Sequence, residues 1–379
     1  MAEYILVGCD LHDRDMVLRI AADKGPVEKR TIPNTGSGRK AMVRELRRRA
    51  EAAGGAKAIV AYEAGPHGFV LYDAVKAAGL DCRVVPPTHI PKSAKSARNK
   101  SDGRDSRVLL GLLRSWAFAD EELPEVWVPD PALRDERELT RVRGDAARGL
   151  TRGKTRVQML LKRYGLRKPE SVGDSWTKRH WAWLQGLTGA RSPLGPWTRK
   201  TLGYMLDRVT WVEGEAKAIE KEVVELSRTA RYAEPVRVAT EDSGVGVLTA
   251  MVFLTEMGDL RRFVNRAAVG SFVGLAPSRN QSGECEGGFG HITHQGPARV
   301  RWVLNQSVWM WIRTTPKVRA FVDRLMAEHP KYGKQIAVVA LMRRRAVRLW
   351  HRCLEAQVRA GSFGLAGVRE VAAAGAERP

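Results

Sequence analysis

One hydroxyl and four carboxylates are the groups in this chain best placed to do chemistry. Ser282 lies in the glycine-rich run from Leu275 to Arg301 (LAPSRNQSGECEGGFGHITHQGPARVR), flanked by Arg279, Arg299 and Arg301. Each glycine loses conformational freedom on ordering, so such a run is not chosen for packing. It lets the main chain come close to something bulky. A hydroxyl nucleophile among permanent cations suits phosphoryl transfer, because guanidiniums can hold a phosphodiester and stabilise its developing charge. The plainer reading of this stretch is a flexible basic surface loop.

The acids are Asp10, Glu63, Asp102 and Asp105. Asp10 closes the β-rich run YILVGCD, and Glu63 follows the buried strand AKAIVAY. Asp102 and Asp105 open a helix whose apolar stripe is Val108, Leu109, Leu112, Leu113 and Trp116. Positions 102, 105, 109 and 112 share one helical face, so both aspartates are expected to look toward the sheet. Four carboxylates at one end of a sheet repel one another unless cations intervene. Two Mg2+ ions would offset that repulsion and align a phosphate with its attacking oxygen. Taken singly, each acid has an ordinary explanation. Asp10 could be a strand-end turn residue, Asp102 a helix N-cap and Asp105 a first-turn acid.

The elements that must position these groups follow from hydrophobic periodicity. Strands are expected at 4–10, 15–22, 26–32, 56–62 and 82–85, with helices at 37–53 and 67–78 between them. The order β-β-β-α-β-α-β-α is that of a ribonuclease H-like mixed sheet, in which the first and fourth strands are neighbours. After the linker WVPDP, a basic helix over 132–164 and a return arm over 202–231 form a helical hairpin. Such a hairpin can pair with a copy from another subunit, or simply close on itself. Between its arms Trp176, Trp181, Trp183 and Trp197 alternate with Lys178, Arg179 and other cations, a composition suited to bases and phosphates or to a small Trp-cored insertion. Further on, SerGlyValGlyVal at 243–247 precedes an apolar helix, the pattern of a helix-hairpin-helix. There the main chain around Gly244 and Gly246 could grip a phosphate, although a simple inter-helix turn looks the same. The fold class is α/β plus α.

Composition narrows the partner. The 379 residues carry a formal charge of +22, spread along the whole chain, which suits a polyanion such as nucleic acid. Four scattered cysteines without a CxxC pair point to a reducing cytoplasm. No run of about 18 apolar residues occurs, so no membrane span is expected.

The run AsnLysSerAspGlyArgAspSer at 99–106 resembles the Lys-x-Asp-x-x-Asp signature of the insertion-sequence-110 transposases, DNA recombinases related to the pilin-gene invertase. VGCDLH at 7–12 and AYEAGPHG at 61–68 are similar to that family's first two acid motifs. GlyValGlyValLeuThrAla from Gly244, ArgPhe at 262–263, PheValGlyLeuAlaPro at 272–277, SerGly at 282–283 and HisIleThr at 291–293 then follow its transposase domain in order. The resemblance implies that Asp10, Glu63, Asp102 and Asp105 bind metal as a DEDD set and that Ser282 is the nucleophile, with Ser278 as fallback. Gln281 stands where the family has a further serine, and His294 where it has a lysine or arginine. It also implies a bridge (guide) RNA that selects donor and target DNA, a homodimeric or tetrameric assembly, and a bacterial cytoplasm. Residues 1–125 would be the RuvC-like domain, 126–235 the hairpin with its insertion, 236–358 the serine transposase domain and 359–379 a disordered tail. Three rival readings accompany this one: a metal-dependent nuclease with a structural serine, a non-enzymatic nucleic-acid-binding protein, and a metal site at Cys285, His291 and His294.

Overall fold

A computed structural model describes residues 2–90, 105–279 and 289–363. Asp102, Ser282 and Cys285 lie outside the described residues. The chain forms two compact units, Met1–Pro129 and Asp130–Pro379.

In the first unit five strands make one sheet: β1 (Tyr4–Leu11), β2 (Asp15–Ala22), β3 (Glu28–Pro33), β4 (Lys57–Glu63) and β5 (Asp81–Val85). The strand order is β3-β2-β1-β4-β5. The first three strands are antiparallel neighbours, whereas β1–β4 and β4–β5 are parallel. This is the mixed sheet of ribonuclease H-like order that the sequence predicts. Among the described residues, helices α1 (Gly36–Ala52), α2 (Val70–Ala77) and α3 (Asp105–Phe118) accompany the sheet. The central strands are buried on both faces, and alternation sorts their side chains. Ile5, Val7 and Cys9 of β1 pack with Met42, Leu46, Leu71 and Val75 of α1 and α2, together with Ala58, Val60 and Tyr62 of β4. Leu6 of β1 and Ile59 and Ala61 of β4 pack instead with Leu109, Leu110 and Leu113 of α3. Successive strand residues point to opposite faces, so this sorting fixes the direction of every later residue in each strand. The second helix begins at Val70, later than the expected 67. Gly68 adopts φ 60° and keeps the preceding residues in a turn.

The second unit is largely helical: α4 (Pro131–Arg163), α5 (Lys178–Gly186), α6 (Pro196–Ser227), α7 (Ala233–Thr240), α8 (Val247–Met257), α9 (Arg266–Phe272), α10 (Ala298–Thr314), α11 (Pro316–Glu328) and α12 (Gly333–Arg359). One two-stranded hairpin, β6 (Pro277–Arg279) with β7 (Phe289–Ile292), interrupts them. Helices α4 and α6 run antiparallel. Gly153 faces Val209, Gly149 faces Val212, and Arg143 pairs with Glu220. The return arm begins at Pro196 rather than 202, because proline's fixed φ seeds a first helical turn and places Trp197 on the helix. The last helix, α12, runs on to Arg359.

Helix α8 lies at the centre of the unit, with Ala250 to Met257 all buried. Arg137 of α4 donates to the Thr255 and Glu256 carbonyls, and Arg141 forks onto the Glu256 carboxylate at 2.8 and 3.1 Å. Among the described residues, no helix is long and apolar enough to cross a membrane.

Candidate active site

The acid edge is built by strand parity. Leu6, Gly8 and Asp10 alternate onto the α3 face of β1, as Ile59, Ala61 and Glu63 do on β4. The parallel register pairs Cys9 with Tyr62, so Asp10 and Glu63 follow as neighbours at the carboxyl ends of adjacent strands. Both are half-buried. Helix α3 lies across the same face and runs against β1. Its start covers Gly8, while Trp116 and Phe118 at its end meet the Tyr4 ring edge-on. Asp105, the first residue of α3, is therefore brought to the end of the sheet that carries Asp10, where its side chain is exposed.

Gly8 makes this possible. A Cβ there would sit 2.1 Å from the Ser106 carbonyl oxygen and 2.6 Å from the Leu110 nitrogen. Only a residue without a side chain lets the helix lie this close to the strand. The sequence signal was present in VGCD, a glycine inside an otherwise apolar strand.

The surroundings hold these ends in place. His12 Nε2 stands 3.2 Å from Asp10 Oδ2, whose side chain is 13% exposed. Asn34 donates to the His12 carbonyl at 2.8 Å, and the Tyr62 hydroxyl donates to the Gly68 carbonyl at 3.0 Å, pinning the loop after Glu63. Burial pushes the Tyr62 phenol well above its ordinary range, so it remains a donor. Carboxylate oxygens are the hard donors that Mg2+ prefers, and Asp10 and Glu63 fit that chemistry. Among the described residues, no three His, Cys, Asp or Glu side chains stand together as a complete metal-binding group. Asp102, the fourth member of the expected set, is outside them.

In the second unit, β6 and β7 pair antiparallel, with Arg279 opposite Phe289. In sequence, Ser282 falls between β6 and β7, outside the described residues. The Ser278 hydroxyl donates to the His291 carbonyl at 2.9 Å, a bond that braces the two strands. Beside the hairpin lies an open groove of about 1510 Å³. Leu275, Ile292, Ile336 and Val339 give it apolar walls, and Arg266, Arg343 and Arg344 line it with positive charge. These arginines were not singled out from sequence. The run Arg343–Arg345 reads as generic basic helix, but a helical step of about 100° per residue separates its members. Arg345 turns inward, 4.0 Å from the Trp311 ring centroid, while its two predecessors reach the groove.

The expected phosphate contacts are dispersed. Arg299 Nη2 pairs with Asp145 of α4 at 3.2 Å. Arg301 Nη1 donates to the carbonyls of Val273, Gln295 and Gly296 at 2.9 to 3.2 Å, and burial pushes its pKa down. Gly244 adopts φ 83° in the α7–α8 turn, where a Cβ would meet the Ser307 carbonyl at 2.5 Å. Gly246 caps α8 with open space around it. Lys178 and Arg179 are exposed in the first turn of α5. The side chain of Arg279 lies outside the described set.

Residues 237–323 match the family described as Transposase IS116/IS110/IS902. Residues 7–166 match an IS110-type DEDD domain described as Transposase. The chain is 30% identical over 322 residues to the putative transposase y4rJ of Sinorhizobium fredii, a match covering 81% of this chain and 80% of that one. It is also 30% identical over 257 residues to the putative transposase y4qE of the same organism, covering 68% of this chain and 59% of the relative. The transposase for insertion sequence element IS1111A of Coxiella burnetii is 24% identical over 279 residues, covering 72% and 71%.

Proposed function

Because the chain belongs to the IS110/IS116/IS902 family of transposases, it is an enzyme of DNA cleavage and strand transfer, and we propose that Ser282 is its nucleophile. The Ser282 oxygen attacks a DNA phosphorus, a phosphorus–oxygen bond to the neighbouring sugar breaks, and the departing sugar oxygen takes up a proton. The phosphoserine diester keeps the bond energy. A sugar hydroxyl of the second DNA then attacks it, releasing serine and sealing the strand without ATP.

A DEDD domain implies divalent metal. Asp10, Glu63, Asp102 and Asp105 would hold it, as two Mg2+ ions, and the bound metal would draw charge from the phosphate and orient it. The protein's own residues do the placing. Gly8 lets α3 approach, and strand register sets Asp10 beside Glu63. The arginines of the hairpin groove supply positive charge for the DNA backbone.

The observation that carries this reading is the shared orientation of Asp10 and Glu63 on the α3 side of two adjacent parallel strands. The acids and the serine belong to different units, and in a homo-oligomer one subunit would present acids to another's serine. A bridge RNA that selects the DNA is in keeping with the charge of +22 and with the exposed cations of α5.

The test is Ser282→Ala in a recombination assay with supercoiled donor and target DNA and Mg2+. Loss of strand exchange is expected. Continued cleavage at the wild-type rate would make the protein a plain metal-dependent nuclease.

A further inference from the structure

Helix α10 contains no acidic residue between Ala298 and Thr314. The face it turns outward is aromatic. Trp302 and Trp309, two turns apart, are 48% and 42% exposed, and Met310 is 39% exposed. Large apolar groups gathered on one exposed face mark a contact surface rather than ordinary solvent-facing helix.

Where α10 meets α11, a hollow of about 470 Å³ is lined by Gln306, Trp309, Met310, Ile312, Arg313 and Arg319. The Trp309 Nε1–H donates to the Asn305 side-chain oxygen at 2.9 Å, which sets the ring's orientation. Lys334 Nζ lies 5.2 Å from the centroid of the same ring.

These are the components of a nucleotide site. The indole, thioether and isoleucine provide a flat apolar wall for a base. The Gln306 amide can donate and accept at a base edge. The guanidiniums and the Lys334 ammonium suit the flanking phosphates. Paired DNA hides its base faces within the stack, so only an unpaired nucleotide can use such a wall. Strand transfer between duplexes creates unpaired nucleotides, because an exchanged strand must leave its old partner before it meets the new one.

We propose that this hollow holds an unpaired DNA nucleotide, its base against Trp309, its edge at Gln306 and its phosphates at Arg313 and Arg319. The inference rests on DNA as substrate and is independent of the role given to Ser282.

The experiment measures fluorescence anisotropy of full-length protein with labelled single-stranded DNA, the matching duplex and RNA of the same sequence. Trp309→Ala is expected to weaken single-stranded DNA binding about tenfold, with Trp309→Phe recovering most of the loss, since stacking on an aromatic carries the energy. Duplex affinity should not move. The readout is equilibrium binding and involves no strand cleavage, so failure of the serine mechanism leaves this result standing. Should Trp309→Ala lower the melting temperature, the double variant Arg313→Gln, Arg319→Gln replaces it, again with selective loss of single-strand binding expected. Equal losses for duplex and single strand would overturn the proposal, as would no loss at all. A loss confined to RNA would overturn the assignment to DNA. A smaller oligomer on size exclusion with unchanged DNA binding would show the face to be a subunit contact instead.

Discussion

Asp242 and Glu256, in the helical unit, are both nearly buried and both held by guanidiniums. Arg348 and Arg352 approach the Asp242 carboxylate at 2.7 to 3.0 Å, and the fully buried Arg345 lies 3.4 Å away. Arg141 forks onto Glu256. Asp10 and Glu63, in the sheet unit, are placed differently: strand register and the close approach of α3 put them at one edge, with His12 beside Asp10. The contrast separates two uses of a carboxylate in a highly basic chain. Surrounded by arginines and buried, it fastens helices together, and removing it strands positive charge in the interior. Set at a strand end by backbone geometry, it fastens no helix, and its removal is expected to spare the fold and impair the cleavage proposed for this edge.

The largest expected effect tests the fastening role. Asp242→Ala leaves the buried Arg345 without its counter-charge and should cost about 3–5 kcal/mol, read as a lower urea midpoint for the transition of the helical unit. Next come Asp10→Asn and Glu63→Gln. Each should lower Mg2+-dependent DNA cleavage at least about a hundredfold, the scale seen when a group stabilising transition-state charge is removed, while the melting temperature stays at the wild-type value. If Asp10→Asn unfolds the protein as Asp242→Ala does, the distinction collapses.

Gly8→Ala sharpens the comparison, because it disturbs the acid edge without touching an acid. The added methyl collides with the main chain of α3, so a destabilisation of about 1–3 kcal/mol is expected, together with a loss of cleavage larger than the melting shift alone explains. The smallest effect concerns thiols. Burial pushes Cys82 and Cys353 up to about 12, and Cys9 higher still. A raised pKa leaves almost no thiolate at pH 8, so iodoacetamide should spare all three in the native protein and modify them in urea, as mass spectrometry would show. Native labelling of Cys9 would mean that the sheet core opens.

The same contrast explains how much could be read from the residues alone. The sheet was legible because alternation and strand-end acids are local patterns, and the order of strands and helices follows from them. Asp10 and Glu63 came with it, since parity fixes their face. Gly8 was readable in principle, but a glycine in a strand does not say which helix will cover it. The partners that the arginines take within the protein were not legible. Arg299 finds Asp145, far away in sequence, and Arg301 spends Nη1 on main-chain carbonyls around Gly296. A guanidinium can satisfy carboxylate, carbonyl or phosphate equally well, and local spacing does not reveal which is nearby. Arg343 and Arg344 were hidden by the opposite problem: they belong to a groove made by segments distant in sequence. Helix starts went astray where a single residue decides, as with Pro196 and Gly68.

The most direct measurement is to trap the protein on a nicked suicide DNA substrate with Mg2+, digest the covalent complex, and map the modified residue by mass spectrometry. A phosphodiester link to Ser282 is predicted, absent in Ser282→Ala and greatly reduced in Asp10→Asn. Cleavage that proceeds with no covalent species, or a link to Ser278 or any other residue, would contradict it.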